Sequence, residues 1–494
     1  MELAALIDGS LVGRAERRGL EYADEHGDLR VLTFGALDQR ATRVAGALAA
    51  RGCVPGDRLC VHLANGLPFI ELFLACVRLG VIFVPMNVLY RERELGHIVR
   101  DADPRAVVIA RGGDATYPAR IPLWFVEELG AGEPATVAAS SWGPSRGTDA
   151  AAIIYTSGTT GTAKGAVLSR DNLAANAATI THAWRITHED RYLAVLPLFH
   201  VHGLANGVLS WLLSGCFMRL EERFDHRSAA DLFTRFRPTL FFGVPTIYVR
   251  LLDPGVIPDD AARDMGRHMR LFVSGSAPLP SHVHAAFASR FGHTILERYG
   301  MSEALMIAGN PYDGERRAGT VGRPFPGVSL RVAGETGPSA AGDVGEVQMK
   351  SPALFSGYWR NDTATAEAFE NGWFRTGDVG VLSDDGYLTL RGRRGDLIIS
   401  GGFNIYPREI EELLLEDSRV REAAVVGAPD ALRGEVPVAY IVSDESVSVA
   451  DLEQLCRAKL ASFKTPRAFV RIAALPRTAL GKVQKGLLPK VTLS

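Results

Sequence analysis

The stretch Tyr155-Thr-Ser-Gly-Thr-Thr-Gly-Thr-Ala-Lys-Gly-Ala-Val167 gathers backbone donors, hydroxyls and one ammonium into a single short loop. Gly158 and Gly161 allow tight bends that turn successive N–H groups towards an anion. Thr156, Ser157, Thr159, Thr160 and Thr162 add hydroxyls, and Lys164 adds positive charge. These are the parts of a phosphate grip. The loop lacks the GK[ST] ending of a P-loop, so an ordinary P-loop NTPase fold is not supported. A flexible linker would need neither Lys164 nor the apolar run Ala151 to Ile154, which leads into the loop as a buried strand.

The elements around the loop follow from hydrophobic periodicity. Strand-like Leu59 to Leu63, Val81 to Pro85 and Ala106 to Ala110 alternate with helical spacing over Pro68 to Leu79 and near Glu92 to Arg100. That alternation predicts a parallel sheet with crossover helices, and the phosphate loop opens a second round of it. Strands over Thr239 to Gly243, Leu271 to Ser274 and Thr294 to Leu296 each run into a turn, and such carboxyl ends of strands are where ligands sit in open α/β sheets. Beyond about residue 327 short alternating segments predict a β-rich subdomain, and after Arg393 a final α+β unit follows. The fold class is α/β: a large N-terminal domain over 1–392 of stacked α/β sheets, its β-rich subdomain at 327–392, a hinge at 393–396, and a small mobile α+β lid at 397–494.

Composition narrows the function classes. The 494 residues are 47% hydrophobic and 22% charged, and 54 basic against 56 acidic side chains leave a formal net charge of −2. Nothing in that balance asks for nucleic acid. Cys53, Cys60, Cys76, Cys216 and Cys456 are scattered among apolar neighbours and read as reduced core residues. No apolar run reaches the length of a membrane span and no leader is evident, so a cytoplasmic enzyme is expected.

The loop resembles the phosphate-binding motif of the adenylate-forming superfamily, which includes acyl-CoA synthetases, peptide-synthetase adenylation domains and luciferases. Other segments carry the same resemblance. Tyr299-Gly-Met-Ser-Glu303 follows a strand; Glu303 is implied to hold Mg²⁺ on ATP and Tyr299 to lie near adenine, with Gly300, Met301 and Ser302 completing the turn. A lone Glu opening a helix would otherwise serve as a dipole partner. Ser274-Gly275-Ser276 matches the adenine-flanking turn. Asp378 in Trp373-Phe-Arg-Thr-Gly-Asp378 is implied to accept both ribose hydroxyls. Arg393 is implied to contact ribose or phosphate. Gly395 stands where the family usually has Asp or Lys at its hinge; glycine permits the rotation but offers no side chain to fix it. Gly401 and Gly402 are implied to line the CoA tunnel, and His200 in Pro197-Leu-Phe-His200 to gate the ATP and acyl sites. Lys482, closing Pro476-Arg-Thr-Ala-Leu-Gly-Lys482, is implied to be the adenylation lysine and a plausible target for a lysine acetylase.

The implied chemistry has two half-reactions: a carboxylate and ATP give acyl-AMP and pyrophosphate, and CoA then displaces AMP. Most members have small or apolar acyl-site residues, yet this chain has Arg298 beside the Tyr299 motif and Arg250 in Pro245-Thr-Ile-Tyr-Val-Arg-Leu-Leu. A buried guanidinium needs an anionic partner. Arg250 and Arg298, with Ser276 and Met306, therefore suggest a second carboxylate on the substrate. The pattern is similar to malonyl-CoA synthetases, with malonate or methylmalonate as the acid. The competing expectations are a short-chain or aromatic monocarboxylate ligase and a stand-alone adenylation domain loading a carrier protein.

Overall fold

The computed structural model describes residues 2–113, 115–118, 120–130, 146–156, 163–334, 337–430, 432–478 and 481–491. Ser157, Gly158, Thr159, Thr160, Gly161 and Thr162 of the expected phosphate grip lie outside them. Two large sheets build the body. A seven-stranded sheet runs Gly357–Tyr358, Lys164–Ser169, Ala150–Thr156, Ile82–Pro85, Arg58–His62, Ala106–Ile109, Leu123–Phe125. A nine-stranded sheet runs Arg323–Pro324, Leu305–Gly309, Leu296–Met301, Leu271–Ser274, Leu240–Gly243, Arg191–Ala194, Phe217–Leu220, Arg18–Ala23, Leu29–Thr33. Six antiparallel strands between Ser329 and Arg393 form the β-rich part, and five strands between Ile398 and Arg471 form the lid sheet, backed by helices Pro407–Leu414 and Val449–Lys459. Mixed α/β sheets with a separate C-terminal unit are thus the architecture. Among the described residues no helix is long and apolar enough to cross a membrane.

Local sequence accounts for the central elements. All four residues of Ile82–Pro85 are buried, as a strand covered on both faces requires. The helix Leu67–Leu79 has Pro68 in its first turn and ends at Gly80 with φ +71°, the usual start and stop chemistry. Phe69 and Phe73 of that helix meet Phe83 edge-on at 5.2 and 5.4 Å between centroids. Burying each such ring contributes about 1.5–3 kcal/mol and fixes helix to sheet.

Two expectations are corrected. Lys164–Ser169 returns antiparallel to Ala150–Thr156, so the phosphate loop joins the arms of a hairpin and a helix, Arg170–Ala183, begins only after the second arm. The strand expected to stop at Leu296 runs on to Met301, because Leu305–Gly309 folds back and pairs with it. Tyr299, Gly300 and Met301 therefore lie on a strand and Glu303 on the tight turn beyond it. The register slips between Tyr299 and Gly300, where a Cβ on residue 300 would collide with the Leu305 carbonyl. Only glycine permits that bulge.

Candidate active site

The turn after Met301 sets Glu303 against the first hairpin. Its Oε1 accepts from the Tyr358 hydroxyl at 3.1 Å and from Thr156 Oγ1 at 3.4 Å. Lys164, at the head of the returning strand, lies 5.2 Å from the Tyr358 ring centroid. One buried carboxylate beside two hydroxyl oxygens is the kind of oxygen set a Mg²⁺ takes when nucleotide phosphates supply its other ligands, and the Lys164 ammonium nearby suits those phosphates. The residues present fit that ion.

Asp378, on the strand Trp373–Leu382, is 6% exposed. Arg393 Nε forms an ion pair with its Oδ1 at 2.8 Å, the Tyr299 hydroxyl donates to its Oδ2, and Arg393 Nη1 donates to the Thr376 carbonyl at 3.0 Å. Burial raises the Asp378 pKa while Arg393 opposes it. Lys482 comes to the same place from the lid. Gly481, φ +75°, lies against the Thr246 side chain of the body helix Pro245–Leu251, and the Thr478 N–H and Lys482 carbonyl close the turn at 2.8 Å. Although Lys482 keeps solvent exposure, crowding by protein and then the charge of Arg393 hold its pKa below the usual lysine value, against the pull of Asp378, Asp396 and Glu303. The lid therefore stands with its lysine facing the carboxylates of the body.

A second cluster lies at the ends of the strands Leu271–Ser274 and Leu296–Met301. Arg298 is 5% exposed, has no ion pair, and its Nε and Nη2 have no hydrogen-bond partner among the described residues. Burial pulls its pKa down to about 9. Its guanidinium lies over the backbone of Gly275, where any Cβ would collide with it. Ser274 is fully buried and its Oγ has no partner among the described residues, and Ser276 takes the left-handed φ of +71°. Met306 is buried nearby on Leu305–Gly309 and its N–H donates to Asn176 Oδ1 at 3.2 Å. His200 is half-buried and burial lowers its pKa to about 4, so the ring is neutral at physiological pH.

Arg250 is not brought to this cluster. Pro245, Ile247, Tyr248 and Leu251 form the buried face of its helix, and Arg250 lies exposed on the opposite side. The pairing of two arginines is corrected to one buried arginine; the spacing of apolar residues at 247, 248 and 251 carried the signal. Gly401 and Gly402, φ +57° and +85°, lie exposed at the tip of the hairpin Ile398–Ser400/Phe403–Ile405, not at the Asp378 site in this lid position. Gly395 sits in the short 3₁₀ turn Arg394–Asp396 between body and lid. Sequence reasoning passed over Tyr358 and His202. His202 opens a buried π-helical run, His202–Val208, a rare geometry that concentrates at functional sites.

The chain resembles known proteins along almost its whole length. Residues 13–359 match the AMP-binding enzyme family and residues 409–482 match the AMP-binding enzyme C-terminal domain. A sulfoacetate–CoA ligase of Cupriavidus necator is 38% identical over 472 residues, 92% of this chain and 91% of that protein. A malonate–CoA ligase of Arabidopsis thaliana is 34% identical, covering 89% of this chain and 78% of that protein. ATP-bound MatB from Rhodopseudomonas palustris, 36% identical, covers 99% of this chain and 98% of its own with a TM-score of 0.88, against 0.79 for the apo form.

Proposed function

The chain belongs to the AMP-binding enzyme family and is an ATP-dependent acyl-CoA ligase; from that premise we propose that the acid it activates carries a second anionic group, malonate first and methylmalonate as a tolerated homologue. The observation that carries this is Arg298, a buried cation with two donors that have no partner among the described residues. Leaving such a charge unpaired is costly, whereas a bound carboxylate pairs it in fork geometry. One extra methyl is rejected by only about 1–3 kcal/mol in most pockets, which admits methylmalonate.

In the first half-reaction the free carboxylate attacks the α-phosphorus of ATP, the bond from that phosphorus to the α,β-bridging oxygen breaks, and pyrophosphate leaves. Lys482 offsets the charge that accumulates between carboxylate and α-phosphate, while Lys164 steadies the departing phosphates. Glu303, Thr156 and Tyr358 would hold Mg²⁺, which supplies further neutralisation of the phosphates when bound. Asp378, ordered by Arg393 and Tyr299, receives the ribose. In the second half-reaction the CoA thiol attacks the acyl carbon and AMP leaves, after the lid turns about Gly395 and brings Gly401 and Gly402 to the thiol path.

A second reading is sulfoacetate. The same unpartnered donors fit a sulfonate, and the Cupriavidus necator relative carries that activity in its name. Pyrophosphate release with free CoA, compared across malonate, methylmalonate, sulfoacetate, acetate, butyrate and benzoate, separates the readings. Malonate is expected to give the highest kcat/KM. Sulfoacetate ahead of malonate moves the assignment to the sulfonate, and acetate, butyrate or benzoate ahead of both overturns it. Pyrophosphate release without CoA-ester product, restored by a carrier protein, would instead identify a loading domain.

A further inference from the structure

We infer that His202 is a specificity-determining residue whose unpartnered Nε2 is the second donor, after Arg298, to the remote anionic group of the acid. This rests on the reading that the acid has such a group. His202 is 2% exposed, and its ring stacks on Phe242 with centroids 6.4 Å apart and planes at 20°. Its Nδ1 lies 3.1 Å from Ser276 Oγ. A serine hydroxyl always has a hydrogen to give; when it gives that hydrogen to Nδ1, the neutral ring must carry its own on Nε2. The Ser276 backbone, held at φ +71°, is strained in the way that marks over-determined functional positions, and it is this conformation that presents the hydroxyl.

The resulting Nε2–H is buried and has no partner among the described residues. Burial, then the charge of Arg298, keep the ring uncharged. Two cations side by side would repel, whereas one cation and one neutral donor accept a single anionic group between them. An acid ending in a methyl or phenyl group would leave the histidine and guanidinium donors all unpaired. A pocket built from hydrogen-bond donors rejects analogues that lack the acceptor far more strongly than an apolar pocket rejects one that merely adds a hydroxyl.

The test measures pyrophosphate release with malonate, sulfoacetate and butyrate for the wild type, His202→Phe and His202→Gln, at saturating ATP, with melting temperature and the KM for ATP recorded for each. Phenylalanine keeps the stacking shape without the donor, and glutamine restores a donor. His202→Phe is expected to lose about tenfold or more in the malonate-to-butyrate ratio of kcat/KM, chiefly through KM, and His202→Gln to stay within about threefold of wild type. An unchanged ratio in a folded His202→Phe, or equal losses for malonate and butyrate, overturns the inference. Should His202→Phe not fold, Ser276→Ala reads the same point: freeing Nδ1 should lower the ratio several-fold, and no change overturns it. A wild type that prefers butyrate to both dianions removes the proposed function itself, a result distinguishable from the loss of His202 alone.

Discussion

Arg298 combines the largest energetic liability of the site with its clearest functional signal. Replacing an unpaired buried charge by an apolar side chain of similar volume is often neutral or stabilising by about 1–4 kcal/mol. Arg298→Met should therefore raise the melting temperature of the ligand-free protein while lowering kcat/KM for malonate about a hundredfold or more and leaving the KM for ATP within about threefold. A variant that melts lower than wild type, or that loses ATP and malonate binding alike, would show that the guanidinium supports the fold. Lys482 makes a pH prediction. The charged ammonium is the active form and its pKa is lowered. Adenylation should thus fall on the alkaline side at a pH below that of an ordinary lysine, and Lys482→Ala should lose about 10²–10³ in adenylation and the alkaline limb with it. Thioester formation from supplied malonyl-AMP should survive in that variant; its parallel loss would count against the assignment.

At the scale of elements, the connection between body and lid is pinned on both sides of one residue. Arg394 Nη1 lies 3.2 Å from Glu346 of the body, and Asp396 Oδ2 lies 3.9 Å from Lys485 of the lid. Lys485 is itself held by Glu411 at 2.8 Å and by the Val425 carbonyl at 2.9 Å. Rotation that keeps both ion pairs must be absorbed at Gly395. On the proposed rotation a glycine offers no side chain to anchor the turn, and its two neighbours are each tied to one unit. Gly395→Pro, which restricts φ there and the backbone of Arg394, should leave malonyl-AMP formation within about threefold and slow thioester formation about a hundredfold. Equal slowing of both half-reactions in single-turnover measurements would place the pivot elsewhere.

Across the whole molecule, the buried residues form separate cores. One large cluster runs from Leu3 to Leu388, and the lid has its own clusters, including Ile398, Leu414, Ile441 and Leu452 on one face and Ala424, Tyr440 and Leu475 on the other. A lid with its own core, joined to the body through the short turn Arg394–Asp396, is expected to melt independently of it. Calorimetry should resolve two transitions in the ligand-free protein, and ATP with malonate should raise the larger one by mass action. A single two-state transition for the free protein would contradict this division.

The order of elements and the chemistry of the nucleotide end were legible because both depend on neighbours in sequence. Helical spacing over Pro68 to Leu79, a fully buried Ile82–Pro85, and short motifs carrying Lys164, Glu303, Asp378, Arg393 and Lys482 could be read from the chain. Which groups face one another could not. The pairing that draws Tyr299 and Met301 into a strand comes from residues beyond the motif, and the orientation of Arg250 depends on which helix face the body covers. His202 carried no signal in the sequence; only the fold sets its Nδ1 on Ser276 and leaves its Nε2 buried without a partner among the described residues, within reach of the Arg298 charge. Sequence by itself determined the ATP-dependent chemistry, since that chemistry is written in residue types at fixed spacing. Tertiary structure decided what the proposal for the acid-binding end rests on, because burial and an unfilled hydrogen bond exist only once distant segments have closed around them.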